Sequence, residues 1–186
     1  MARTPVVTRD MIPEELRAAF DQETSSTGGV VTSGPGSVMI NSPEMRRRAN
    51  HLVDYLRRGE STLSDKTLQL AMLITARAMD CQFIWHAHAA HGRQVGLSDA
   101  LVDAIRDKRP LPAASADESI VLNYGTEFFK NHKVSQGTFD AALSHLGARG
   151  LTELTTLMGY YAMLGFNANA FEIDVPQDGP EPLLPV

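Results

Sequence analysis

Between Asp80 and Ser98 the chain gathers its only cysteine, its only tryptophan and three of its six histidines: Cys81, Trp85, His86, His88 and His91. On a helix, residues three, four and seven apart share a face, so Cys81, Ile84, Trp85, His88 and His91 fall on one stripe while His86 points the other way. A thiol, an indole and two imidazoles on an apolar wall are groups of the kind that line small-molecule sites. Imidazoles titrate near neutrality and suit proton transfer. His88 is the first choice for that role, and His91, one turn later, can share the proton. Arg77, four residues before Cys81, reads onto the same stripe, where its planar fork suits a carboxylate.

The same residues have structural readings. A histidine on a packed helix is often a core residue with one satisfied nitrogen, a buried cysteine is usually inert, and Trp85 reads as wall. His88 and His91 have the spacing to share a metal ion, but no equally clear carboxylate accompanies them. Asp80 is off the stripe, and Glu127 and Asp140 lie on other helices. No metal and no organic cofactor is expected. Tyr124, Tyr160 and Tyr161 stand on helices able to close a pocket and donate a phenol. Tyr160 and Tyr161 face different ways, so one of them at most is expected to reach inward, and Tyr160 is taken as a substrate contact.

These groups must be positioned by helices. Apolar residues recur at about 3.6 in nearly every segment, and none alternates over strand length, so the chain reads as all-α. Pro13 to Gln22 reads as a short helix burying Leu16, Ala19 and Phe20. Residues 24–41 read as a Gly/Ser-rich connector whose Val30, Val31, Val38, Met39 and Ile40 pack onto something. Ser42-Pro43-Glu44 is a helix start, with Ser42 as cap, and that helix runs to Gly59. Ser64-Asp65 starts a helix to about Met79, Ser98-Asp99 one to Arg106, and Ser115 one to Asn131. Residues 136–147 and Leu151 to Ala168 give two more. From Phe171 the proline-rich tail cannot be helical and is expected to run extended over the surface or onto a partner subunit. The organisation expected is thus residues 1–41 as N-terminal helix and connector, 42–170 as the helical domain, and 171–186 as the tail.

Composition bounds the function. The chain has 186 residues, 43% hydrophobic and 21% charged, with a formal net charge of −5. Its basic residues are dispersed, apart from Arg46-Arg47-Arg48 and Arg57-Arg58, which helical periodicity scatters, so no nucleic-acid partner is expected. A single cysteine excludes an intrachain disulfide and suits a reducing, cytoplasmic setting. No apolar run is long enough for a signal peptide or membrane span, so no membrane partner is expected.

Leu63-Ser64-Asp65-Lys66 leading a helix, then Cys81, Trp85, His88, Ala89 and the Gly96-Leu97-Ser98 ending, together resemble the carboxymuconolactone decarboxylase family, part of the alkylhydroperoxidase D-like superfamily. The resemblance extends to Gly34-Pro35 and Ser42-Pro43-Glu44 before this core, and to Asn167 through Pro176 after it. It implies an alkylhydroperoxidase D-like helical bundle that assembles as a homo-oligomer (trimer, dimer or hexamer), with a pocket near the histidine helix. In the peroxidase branch Cys81 fills the first thiol position and His88 the histidine position. Ile84 stands where the second thiol would be and Gln69 where a glutamate would be. A dithiol cycle cannot run through these residues, because the resolving thiol is missing and Gln69 cannot relay a proton. Decarboxylase-like members commonly carry Glu-Trp before the histidine, and here the pair is Ile84-Trp85.

The resemblance implies a lyase that decarboxylates a small carboxylated lactone or related acid of aromatic catabolism. His88 would be its general acid/base, His91 a second proton carrier or a hold on the departing carboxylate, and Arg77, Trp85, Gln69, Ile84 and Tyr160 the substrate contacts. Two alternatives stand beside it. One is a peroxide- or thiol-reactive protein using Cys81 alone, with an external resolving thiol. The other is a non-catalytic helical oligomer that binds a small acid.

Overall fold

The structure is a computed structural model that describes residues 3–176 and 179–186. Among these residues there are no strands. Eight α-helices follow in order: α1 Arg17–Thr24, α2 Gly34–Met39, α3 Pro43–Arg57, α4 Asp65–Ala78, α5 Gln82–Gln94, α6 Asp99–Arg106, α7 Ala116–Asn131 and α8 Gln136–Ala170. Residues 177 and 178 of the expected tail lie outside the described residues.

Helix α4 is the centre. Its run Leu68-Gln69-Leu70-Ala71-Met72-Leu73-Ile74-Thr75-Ala76-Arg77 is buried throughout, the pattern of a helix covered on every side. Helices α5, α6, α7 and α8 surround it. Helix α5 comes close because Gly92 has no side chain: a Cβ there would lie 3.1 Å from Leu73 and 3.2 Å from Leu97. Ser64, Ser98, Ser115 and Ser135 each accept the backbone N–H three residues on and so fix the starts of α4, α6, α7 and α8. Ser42, expected to cap α3, makes no such bond. Pro43 at the first position, which needs no N–H partner, opens that helix instead.

Three features depart from the sequence reading. The expected connector contains helix α2, which buries Val38 and Met39, while Ile40 next to it is completely covered. Val31 and Ile40 join Val7, Ile12 and Phe20 in a small second core, an apolar demand strong enough to order a glycine-rich stretch. The two expected C-terminal helices form one long α8, kinked at Gly147, whose φ of 68° suits a residue without a Cβ. The tail is extended, and its residues from Gly179 on lie along α5 of the same chain. No helix among the described residues is long and apolar enough to cross a membrane.

Candidate active site

Helices α4 and α5 do not form one rod. Asp80 adopts a left-handed conformation with φ 48°, which a short polar side chain tolerates, and Cys81 becomes the residue that precedes α5. The helical spacing that joined Arg77 to the stripe therefore fails between them. Arg77 is buried, ion-paired to Asp80 and bonded to the Arg106 carbonyl at 2.9 Å. It also stands about 12 Å along α4 from Gln69, at 1.5 Å of rise per residue.

Arg77 lines a separate cavity of about 560 Å³ whose floor includes the buried Ile74, Ile105 and Leu122. Helices α4, α6 and α7 all end at this cavity. Arg77, Lys108, Arg109 and Lys130, which line it, stand in or just past their last turns. Cations there offset the partial negative charge of unpaired carbonyls.

On α5 the stripe holds through Ile84, Trp85, His88, Ala89 and Gly92, all buried. His91 falls outside it and is exposed, while His86 is half-buried. His88 Nδ1 is 2.9 Å from Gln69 Oε1 on α4. With the amide oxygen accepting, Nδ1 carries the proton and Nε2 keeps its lone pair. Burial, with the positive field of Arg57, drives the His88 pKa down to about 3. Gln69 brings no negative charge to oppose this, as a glutamate would. His88 is therefore a neutral imidazole at neutral pH.

Tyr161, from α8, meets His88 edge-on with ring centroids 5.3 Å apart, and Tyr160 meets Tyr161 the same way at 5.9 Å. Both tyrosines are buried; Tyr161 is the one against His88. Desolvation pushes its pKa up to about 12 although Arg57 beside its hydroxyl pulls the other way, so the phenol keeps its proton. Arg57, the last residue of α3, is exposed, and its side chain hydrogen-bonds Tyr161. It also lines a polar cavity of about 560 Å³ together with Glu23, Arg46, Asn50, His51, Asp54 and Arg58. Here Arg46 pairs with Glu23 at 2.6 Å and Arg58 with Asp54 at 3.1 Å. Of the three arginines Arg57 alone has no carboxylate partner among the described residues, and its side chain hydrogen-bonds the Tyr161 hydroxyl.

Sequence reasoning missed Arg57 and the role of Tyr161. Nothing in Arg57-Arg58 distinguishes the two arginines. The Tyr160-Tyr161 pair was visible, but which ring meets His88 depends on how α8 is rotated against α5.

Cys81 is completely buried. The backbone N–H groups of Phe83 and Ile84 favour its thiolate, but desolvation outweighs them and the pKa is raised. The Trp85 indole donates to the Pro182 carbonyl at 2.9 Å, so one of its edges faces the tail. Among the described residues no three His, Cys, Asp or Glu side chains converge to hold a metal ion.

These elements define an all-helical fold of the alkylhydroperoxidase D-like class. The chain is similar to an uncharacterized peroxidase-related protein from Silicibacter sp. TM1040, with TM-score 0.71 and 16% identity over 96% of this chain and 93% of that one. It is similar to an uncharacterized peroxidase-related protein from Ralstonia eutropha JMP134 described as an alkylhydroperoxidase AhpD core, with TM-score 0.69 and 16% identity over 95% and 93%. It is also similar to the debrominase Bmp8 solved with 2,3,4-tribromopyrrole and a cysteine changed to alanine, with TM-score 0.66 and 11% identity over 95% and 92%. At such identities the likeness is one of fold. Residues 43–127, which include Gln69, Cys81 and His88, match the carboxymuconolactone decarboxylase family. No curated protein matches the sequence significantly.

Proposed function

We propose that the chain is a cofactor-independent decarboxylase-like enzyme acting on a small carboxylated lactone or related acid, with His88 and Tyr161 as its proton-handling pair. The observation that carries this reading is the neutral His88, fixed by Gln69 and faced by Tyr161, with Arg57, whose charge acts on both rings, lining a polar cavity on its other side. Arg57 takes the substrate carboxylate not destined to leave, or the lactone oxygen. The bond between the ring and the departing carboxylate breaks, its electron pair moves into the conjugated carbonyl, and carbon dioxide leaves. The protonated Tyr161 stabilises the enolate oxygen by hydrogen bonding, and the tyrosine–histidine pair returns a proton to carbon before solvent restores it. At neutral pH His88 starts as an acceptor, which narrows its expected acid/base role to the base form.

The test is carbon dioxide release from a panel of carboxylated lactones and β-keto acids by the wild type and by His88→Gln. Release by the wild type alone supports the reading, and silence across the panel removes it.

A second reading, thiol chemistry at Cys81, is favoured by one observation. The sulfur lies at the amino end of α5 with two backbone N–H groups favouring its thiolate, the arrangement that activates cysteines when solvent can reach them. Cys81→Ser would abolish activity under this reading and spare it under the first.

A further inference from the structure

Residues 179–186 bind the face of α5 formed by Gln82, His86 and Arg93, with Trp85 at its edge and His88 on another side. The strap runs antiparallel to α5. Arg93 pairs with Glu181 at 2.9 Å, Trp85 Nε1–H donates to the Pro182 carbonyl at 2.9 Å, and a Cβ at Gly179 would overlap the His86 ring. The Gln82 side chain reads one residue of strap backbone twice, donating to the Leu184 carbonyl at 2.7 Å and accepting the Leu184 N–H at 2.8 Å. Arg77 reaches the Pro185 carbonyl at 3.4 Å. Cys81 thus lies between two contact points, Arg77 with Pro185 and Gln82 with Leu184, at the end of α5 that the strap crosses.

The hold is specific but shallow. Leu184 is the one strap side chain in the core, 3% exposed. Pro180, Pro182 and Pro185 offer no N–H groups and keep the segment from forming regular structure. A segment without regular structure, anchored by one apolar side chain, is the kind of element that opens locally while the rest of the fold stays closed.

We propose that residues 179–186 are an autoinhibitory strap over the amino end of α5, and that its release exposes Cys81 and Trp85 to solvent without unfolding the helical core. Closed, the strap keeps the thiol inert. Open, it leaves the sulfur at a solvated helix amino end. The inference does not depend on decarboxylation, because its readout is thiol accessibility rather than carbon dioxide.

The chain's single cysteine and single tryptophan make the test unambiguous. Labelling of Cys81 by the aromatic disulfide dithiobis(nitrobenzoate) is followed by release of thionitrobenzoate as the thiolate forms the mixed disulfide. Trp85 emission is recorded alongside. Leu184→Asp and Gln82→Ala, each checked by circular dichroism, are expected to raise the labelling rate at least tenfold and shift Trp85 emission to the red. A chain ending at Pro176 should label faster still, and a synthetic peptide of residues 179–186 should restore its protection.

In the wild type the labelling rate should depend weakly on urea, since strap opening exposes little surface whereas global unfolding exposes much. Unchanged labelling in Leu184→Asp overturns the proposal. So does labelling in every chain that follows the steep urea dependence of global unfolding. Protection that appears only at concentrations where the chain self-associates would assign the strap to a neighbouring copy and likewise overturn it.

Discussion

Replacing His88 with Gln should alter the pH dependence of stability in a way that can be worked out beforehand. In the fold the His88 pKa is lowered from 6.5 to about 3 by burial and the field of Arg57. Between those values the unfolded chain binds a proton that the folded chain refuses. Stability therefore falls as pH drops through this window and is fully present above it. At about pH 5 the two states differ by about 2 kcal/mol at this one site, a large share of a typical 5–15 kcal/mol total.

Glutamine has no such titration, and its amide can still donate to Gln69. Urea unfolding of wild type and His88→Gln at about pH 7.5 and about pH 5 gives four free energies. Other titrating groups, such as Glu153, are common to both chains and cancel in the double difference. The gap between wild type and variant should move by about 2 kcal/mol in favour of the variant at the lower pH. A gap that stays constant to within about 0.5 kcal/mol would refute the claim that His88 is buried and neutral.

Three further outcomes are expected. Glu153, buried on α8, accepts from Tyr55, Ser61, Arg149 and both the N–H and hydroxyl of Thr62 at 2.8–3.0 Å, and so ties the loop before α4 to α8; Glu153→Ala should cost about 3 kcal/mol in urea unfolding by leaving these donors unpaired. Gly125→Ala places a Cβ 2.8 Å from Met158 and 3.0 Å from Ile74, whereas nothing lies within 4 Å of the Cβ of Gly159→Ala; the first should lower the thermal midpoint by about 1–3 kcal/mol equivalent, and the second should raise it by up to about 1. Arg57→Ala, measured by steady-state kinetics on whichever acid the panel identifies, should raise KM about tenfold or more, and an unchanged KM would remove Arg57 from substrate binding.

Much of the fold was legible because its determinants are local. A serine able to accept the N–H three residues on marks a helix start locally, as the sequence alone reads for Ser64, Ser98 and Ser115 and as the structure adds for Ser135. The apolar residues Leu68, Met72, Leu73, Ile74, Ala76 and Ala78 mark the helix α4, and only the structure shows that it is covered on every side. The pairing of position 69 with His88 came from the family resemblance, and the 2.9 Å contact places the two side chains together. Arg77 misled because helical spacing was carried through Asp80, a residue whose left-handed backbone ends one helix before the next begins. Ser42 misled because a cap needs its side chain turned back onto the helix, and residue type alone does not set that rotamer.

The sequence by itself determined that this chain is helical, where most helices start and stop, and that the Trp85 indole and His88 imidazole share one face of one helix just after Cys81. It also determined that a dithiol cycle is impossible, since a missing cysteine cannot be supplied by folding. Only the tertiary structure decided that Arg57 rather than Arg77 stands near His88, that Tyr161 faces the imidazole, and that the tail returns to α5 of its own chain. The division has a physical cause. Backbone propensity, capping and periodicity act over a few residues and are written in neighbouring letters. The rotation of one helix against another, and the environment that makes His88 neutral, are set by packing among residues far apart in the chain.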